Sequence, residues 1–163
     1  MSFAPGYLDT LRRELPVTRK VLAAFPATEA DFRPHPRSST ARQLAWTFVI
    51  EARLVTFALE GTSSKNKGFI PPPASWGEIL TAFDAQYAEV VRLAGALGSG
   101  GTPPGPVPFF VAAKTPGEIP LVEFLWFMLH DQIHHRGQMT VYLRMAGGKV
   151  PSIYGPSADE PWS

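Results

Sequence analysis

The sequence predicts an all-α protein, a four-helix bundle with long crossover loops. Apolar side chains recur at helical spacing in four separate segments of the chain. Stretches rich in proline and glycine separate these segments, and no segment alternates apolar and polar residues as a half-buried strand would. Two of the connections are long. This favours connections that cross the ends of the bundle, rather than simple hairpins between neighbouring helices.

The composition is that of a globular protein, and we expect residues 1–163 to form a single helical bundle domain. Hydrophobic side chains make up 45% of the 163 residues, and 15 basic residues stand against 14 acidic residues. A chain of this length buries about 70% of its unfolded surface, so it needs neither disulfides nor a metal to fold. The net charge of +1 argues against nucleic acid as a partner.

Cysteine and targeting signals are both missing from the sequence. With 0 cysteines, disulfides, thiolate nucleophiles and zinc–sulfur sites are excluded, so any thiol chemistry must use a thiol from another molecule. The first residues lack the basic region and apolar run of a signal peptide. The longest apolar stretch, residues 121–129, is too short to span a bilayer. We therefore expect a cytoplasmic protein with no membrane partner.

The first two helices are predicted from periodicity and from signals at their ends. Helix one covers Tyr7 to Phe25, and Pro16 inside it predicts either a kink or two short helices. Helix two runs from about residue 41 to residue 60. Thr40 and Gln43 match the capping box, in which each side chain bonds the other residue's backbone N–H.

The last two helices flank a loop of unusual length. Ser75 and Glu78 match a second capping box, after which helix three continues to Gly98. Residues 98–118 contain an apolar island, which we expect to pack over one end of the fold and to contribute to a substrate pocket. Helix four covers residues 120–146. Its first half is apolar nearly all round, which favours a buried helix or a homodimer interface.

Three of the four histidines lie within nine residues of helix four, His130 to Gln138. Side chains four residues apart lie on one face of a helix, so two pairs are available as metal ligands: His130 with His134, and Asp131 with His135. Either pair suits a metal.

Glu51 is a carboxylate in the middle of the apolar face of helix two. An ionised carboxylate that is buried without a partner costs several kcal/mol or shifts its pKa. Glu51 therefore requires a metal or a basic residue on another helix.

The run from His134 to Gln138 resembles the DinB/YfiT-like family, whose last bundle helix carries a histidine followed by Arg-Gly-Gln. Residues 32–38 and 43–46 are similar to the family's sequence before and at the start of helix two. The resemblance implies a bundle that is usually dimeric. It also implies a divalent metal held by one side chain of helix two and two of helix four. For some members it implies transferase or isomerase activity with a small thiol such as bacillithiol, mycothiol or glutathione.

The family pattern places Thr47 where a helix-two histidine is expected, and it makes Asp131 and His135 the helix-four pair. Glu51 lies one turn after Thr47, so the predicted ligands of a divalent metal are Glu51, Asp131 and His135. Two carboxylates and one imidazole suit Mn²⁺ or Fe²⁺, with zinc and nickel as alternatives. If the family pattern is shifted by one residue along helix four, His130 and His134 become the pair of metal ligands on that helix. Without metal, Glu51 would pair with His135 or Arg136.

The resulting functional prediction is a metal-dependent enzyme that transfers a low-molecular-weight thiol to an electrophilic small-molecule substrate. His134 is the predicted catalytic proton carrier, because histidine titrates near neutral pH. The alternative is a non-catalytic, stress-related module for ligand binding or dimerisation, with a degenerate metal site. Gly137 is expected to mark a close approach between helices, since glycine inside a helix costs about 1 kcal/mol relative to alanine.

Overall fold

The computed structural model describes residue 4, residues 6–62 and residues 70–162. Within these ranges it confirms the predominantly helical fold and adds one short two-stranded sheet. Part of the stretch between the second and third predicted helices, residues 63–69, lies outside the described residues. The elements in chain order are α1 (Tyr7–Ala24), α2 (Ala41–Leu59), α3 (Trp76–Gly98), β1 (Val107–Ala112), β2 (Thr115–Ile119) and α4 (Leu121–Met145).

The helix ends follow the sequence signals in part. The Thr40 hydroxyl accepts from the Gln43 N–H at 3.2 Å, and the Gln43 side chain accepts from the Thr40 N–H at 2.9 Å, so the first capping box is confirmed. The prediction of a second box at Ser75 is wrong, because its side chain makes no cap hydrogen bond. Helix α1 runs through Pro16 as one helix. Pro16 is exposed, so the helix loses a backbone bond there without disturbing its buried face.

The long connection before α4 contains a β-hairpin that the sequence did not predict. Strands β1 and β2 are antiparallel, with Val107 opposite Ile119. Phe109 of β1 packs edge-on against Phe124 and Phe127 of α4, with ring centroids 5.2 and 5.3 Å apart. Phe109 therefore attaches the hairpin to the beginning of α4, whereas Phe110 and Val111 of the apolar island are exposed.

The four helices share one apolar core. Helix α2 packs against α3 and α4, and α1 packs against the same two helices. Large side chains from each helix fill the space between them, including Leu22, Phe48, Ile79 and Leu125. None of the helices in the described ranges has the length and apolar character needed to cross a membrane.

The C-terminal residues fold back on the bundle. Lys20 of α1 contacts Glu160 through an Nζ–Oε2 distance of 2.6 Å, and Arg144 of α4 pairs with Asp159. Each of these carboxylates also accepts from a backbone N–H of the tail at 2.8 Å, Asp159 from Val150 and Glu160 from Ser152. The tail therefore joins the first helix to the last.

Arg136 lies in a buried polar cluster between α1, α4 and the tail. Its guanidinium is 2.7 Å from Glu14 Oε2 and donates to the Thr18 hydroxyl at 3.2 Å. Tyr154 contacts Arg136 and donates to Glu14 at 2.7 Å. Arg136 therefore faces α1 and does not pair with Glu51. The neighbouring Gly137 is exposed, and a Cβ there would meet nothing within 4 Å, so the expectation of a close helix approach is wrong.

Candidate metal site

The three predicted ligands lie together between α2 and α4. Glu51, Asp131 and His135 each offer a ligand atom, and these atoms all lie within 4.8 Å of one another. His135 Nδ1 is 2.7 Å from Glu51 Oε1 and 3.9 Å from Asp131 Oδ1. Asp131 and His135 are one turn apart on α4, and the packing of α2 against α4 brings Glu51 to them.

The donor set fits a divalent cation. Glu51 is only 3% exposed, and its Oε2 atom has no hydrogen-bond partner among the described residues. An ionised carboxylate oxygen in this position is normally neutralised by a cation or satisfied by hydrogen bonds. Two carboxylates and an imidazole form a hard ligand set of the kind that Mn²⁺ and Fe²⁺ prefer.

The site holds a proton when it is free of metal. Burial raises the pKa of Glu51 to about 7, although the hydrogen bond and the charge of His135 act in the opposite direction. The hydrogen bond to Glu51 raises the pKa of His135, while burial opposes that shift. Near neutral pH the pair therefore retains a proton between the two side chains. Metal ligands bind in their deprotonated form, so a cation must displace this proton.

An open cavity of about 470 Å³ lies beside His135. Thr47, the residue at the family's helix-two ligand position, is also part of its lining, and its hydroxyl donates to the Gln43 carbonyl at 3.1 Å. The lining combines hydroxyl and amide groups with apolar surface. Its residues are Ser38, Ser39, Leu44, Thr47, His135, Gln138, Val141 and Tyr142. A small substrate bound there would contact His135 directly.

His134 does not line this cavity but contacts a residue that does. Its side chain is exposed, and its Nε2 is 2.9 Å from the amide nitrogen of Gln138, which lines the cavity. The rings of His134 and His135 are 5.5 Å apart. His134, the predicted proton carrier, therefore lies beside the group formed by Glu51, Asp131 and His135 but is not a member of it.

The remaining histidines lie away from the cluster. His130 is exposed and packs on Trp126, with ring centroids 6.0 Å apart. The alternative pair of His130 and His134 is therefore not the pair that meets Glu51. His35 Nδ1 accepts from the backbone N–H of Arg37 at 3.1 Å and holds the turn before α2.

Two buried polar groups were not predicted from the sequence. Glu14 lies on the buried face of α1 between Leu11 and Thr18, the same kind of signal that marked Glu51. Gln132 is 1% exposed, and neither of its amide atoms has a partner among the described residues. A glutamine beside Asp131 in a polar run carries no sequence signal of burial.

A four-helix bundle with a carboxylate–imidazole cluster between its second and last helices defines the class of this protein. The chain belongs to the DinB family, whose sequence pattern matches residues 4–162. The fold is similar to that of a DinB-like protein from Bacillus cereus ATCC 10987, with a TM-score of 0.70 and 21% sequence identity over 91% of this chain and 96% of that one.

Two proteins of Bacillus subtilis are also similar. The solved structure of the DinB-like protein YjoA gives a TM-score of 0.67 and 16% identity over 90% of this chain and 96% of that one. The uncharacterized protein YrdA of strain 168 is 51% identical over 43 residues, which span 26% of this chain and 26% of that protein. The strongly similar segment is therefore about a quarter of each sequence.

Proposed function

We propose that this DinB-family protein is a metal-dependent enzyme in which Glu51, Asp131 and His135 bind a divalent cation. The observation that carries the proposal is the convergence of three ligand atoms within 4.8 Å, one of them on a buried carboxylate. When bound, the cation would supply Lewis acidity, which lowers the pKa of a coordinated water or thiol. Mn²⁺ and Fe²⁺ match this ligand set best, followed by zinc and nickel.

The proposed reaction transfers a low-molecular-weight thiol to an electrophile held in the cavity beside His135. The thiol sulfur forms a bond to an electrophilic carbon while the bond from that carbon to the leaving group, or to the oxygen of an epoxide, breaks. The S–H proton passes to His134. His134 then returns the proton to the leaving group or to the anion formed by addition. Gln138 contacts His134 Nε2 at 2.9 Å, and because its amide nitrogen can only donate, Nε2 is the unprotonated nitrogen. Nε2 is therefore the atom that accepts the proton, and the contact with Gln138 is released when it does.

The thiol in this proposal comes from outside the chain, because the sequence has 0 cysteines. A small cellular thiol such as bacillithiol, mycothiol or glutathione is the proposed donor. Such thiols are kept reduced in the cytoplasm, which is therefore the proposed location.

Metal analysis tests the ligand set. Protein purified without a nickel column should carry a divalent metal in near-stoichiometric amount. Glu51→Ala and His135→Ala should each lose it, because each removes one of three ligands. His130→Ala is the matched control, since His130 lies on the same helix but outside the cluster. Full occupancy in both ligand variants would refute the proposed site.

Activity assays test the role of His134. The wild-type protein should conjugate at least one of several small thiols to an alkyl halide or an epoxide. His134→Gln should keep the metal but lose about 10²- to 10⁴-fold in rate, the usual contribution of a general acid–base group. Absence of conjugation with every thiol tested, in metal-loaded protein, would leave the transferase proposal without support.

A second candidate function is a non-catalytic, stress-related module for ligand binding or dimerisation. The 2.7 Å contact between His135 Nδ1 and Glu51 Oε1 favours it, because each side chain then has a partner without metal. In this case the cluster only specifies helix packing. Wild-type protein without metal, even after incubation with Mn²⁺ or Zn²⁺, would support this second function.

A further inference from the structure

Each helix of the bundle contributes one buried side chain with a polar group to a set that includes Glu51 of the proposed metal site, because Tyr87 interacts with the other three. We call this set the inner polar layer: Tyr7 of α1, Glu51 of α2, Tyr87 of α3 and Gln132 of α4. The most accessible of the four, Tyr87, is 6% exposed. Each polar group buried in a helical core needs a hydrogen-bond partner.

Tyr87 connects the members of this layer. Tyr87 lies near Glu51, Tyr7 and the Gln132 amide, and its pKa depends on all three, but Gln132 has no hydrogen bond in the described part of the chain. Burial raises the pKa of both Tyr7 and Tyr87. Both phenols therefore remain protonated at neutral pH and are available as hydrogen-bond donors.

Three buried atoms of the layer have no hydrogen-bond partner in the described part of the chain: Glu51 Oε2, Gln132 Oε1 and Gln132 Nε2. An unsatisfied buried group costs about 1–3 kcal/mol, and native proteins leave few of them. The three atoms comprise two acceptors and one amide donor. Water matches this combination, since a buried water typically makes about three hydrogen bonds to groups that lack partners.

We propose that ordered water occupies the inner polar layer and links Gln132 to Glu51 Oε2, which makes Gln132 and Tyr87 positioning residues for the Glu51 carboxylate. Held through its inner oxygen, the carboxylate keeps Oε1 directed at His135 and Asp131. Gln132 follows Asp131 directly on α4, so the same helix carries two proposed ligands and the group that orients the third. The expected effect on metal binding rests on the proposed function. The presence of ordered water in the inner polar layer does not.

Metal titration tests the positioning role. Gln132→Met keeps an unbranched side chain but removes both amide atoms, and Tyr87→Phe removes only the hydroxyl. Loss of such supporting hydrogen bonds typically weakens metal binding by about 10- to 100-fold. We expect this loss for Mn²⁺ binding to metal-free protein, measured by calorimetry. Leu143→Met is the matched control, because Leu143 is fully buried on α4 but outside the layer.

Urea unfolding of the same variants separates positioning from simple destabilisation. A structural role alone would lower the free energy of unfolding and leave the Mn²⁺ dissociation constant unchanged. That result in both Gln132→Met and Tyr87→Phe would overturn the proposal.

A high-resolution crystal structure of the metal-free protein gives a readout that does not depend on metal binding. The expected result is a water within hydrogen-bond distance of Glu51 Oε2 and the Gln132 amide. In crystals of Gln132→Met, the 2.7 Å contact of Glu51 Oε1 with His135 should be lost. A dry layer, or an unchanged contact in that variant, would overturn the proposal. If the water is present but wild-type protein binds no metal, the proposed metal-dependent function is refuted. The proposal that ordered water occupies the inner polar layer is then still supported.

Discussion

Glu14 and Glu51 are both carboxylates on the apolar face of a helix, yet their partners give them different roles. Glu14 meets a guanidinium at 2.7 Å and a tyrosine hydroxyl at 2.7 Å, so its charge is neutralised within the protein. Glu51 meets an imidazole on one oxygen and no described group on the other. The first arrangement is a structural ion pair, whereas the second would, in the proposed function, exchange a proton for a cation.

The Arg136 cluster provides the first prediction. Arg136 is 2% exposed, so Arg136→Met leaves the Glu14 carboxylate without its cation in a largely buried position. Breaking one side of a buried ion pair costs about 3–5 kcal/mol, and we expect a loss of that size in the free energy of unfolding. Urea denaturation measures it. Glu14→Gln in the Arg136→Met background should recover part of the loss, and a change below about 1 kcal/mol in the single variant would contradict the assignment.

The Glu51–His135 pair predicts that the metal-free protein loses stability as pH rises. The pKa of Glu51 is raised in the folded state from 4.5 to about 7, so the folded protein holds a proton that the unfolded chain releases. The raised pKa of His135 acts in the same direction: its contribution is complete below 6.5 and is lost as pH passes the folded pKa. Both groups therefore favour the folded state more at low pH within this window.

Unfolding free energies measured near pH 5 and near pH 8 should differ by on the order of 2 kcal/mol through this pair. Glu51→Gln cannot titrate and should show a flatter dependence. A wild-type stability that rises across this window, with the variant unchanged in slope, would contradict the shared proton.

The sequence was most informative where a side chain broke a pattern. Glu51 stands out on an apolar stripe, and the resemblance at residues 134–138 pointed to Asp131 and His135 as its partners. The residues alone left open whether His130 and His134 faced the site, because that depends on the rotation of α4 in the bundle. Gln132 lies in a polar stretch, and only three-dimensional packing reveals its burial.

At the scale of the elements, the helices were predictable and the hairpin was not. Helical periodicity and the Thr40 cap marked α2 to within one residue of its ends. The hairpin contains Pro108, Pro116 and Gly117, residues that usually indicate loops. Gly117 is nevertheless needed, because a Cβ at this position would lie 2.6 Å from a methyl group of Val111. The proline and glycine content of residues 107–119 therefore indicated a loop, although these residues form a strand pair that contacts α4.

Two adjacent phenylalanines test how the hairpin is attached. Phe109 packs on Phe124 and Phe127, whereas its neighbour Phe110 is 62% exposed. Aromatic pairs contribute about 0.5–1.5 kcal/mol beyond the burial of their area, so Phe109→Ala should loosen the hairpin. Hydrogen exchange at the amides of residues 107–119 should become faster in Phe109→Ala and remain unchanged in Phe110→Ala. Equal effects of the two substitutions would contradict this attachment.

At the scale of the whole molecule, α4 presents an exposed face that carries both apolar side chains and His134. Phe127, Val141 and Met145 are exposed large hydrophobic residues. Their spacings of fourteen and four residues place them on one side of the helix, and His134 lies midway between the first two. A homodimer that used this face would bring the cavity beside His135 close to its interface.

We therefore predict a homodimer formed through α4. Sedimentation equilibrium should give twice the chain mass for wild-type protein. The double substitution Val141→Glu and Met145→Glu should give the monomer mass, because each places a charge in the apolar contact. Ala85→Glu, at an exposed position of α3, serves as the control and should remain dimeric. A monomeric wild-type protein at every concentration tested would contradict the prediction.

The Arg136 cluster also constrains when the chain can complete its core during synthesis. Glu14 lies near the beginning of the chain, and its partners Arg136 and Tyr154 follow it by 122 and 140 residues. Until residues 136 and 154 have left the ribosome, α1 therefore exposes an unpaired carboxylate on the face that it must bury. Contacts of such long sequence separation slow folding, because closing the long loop costs entropy before the contact forms. Partial chains that end before α4 should accordingly remain unfolded and depend on chaperones.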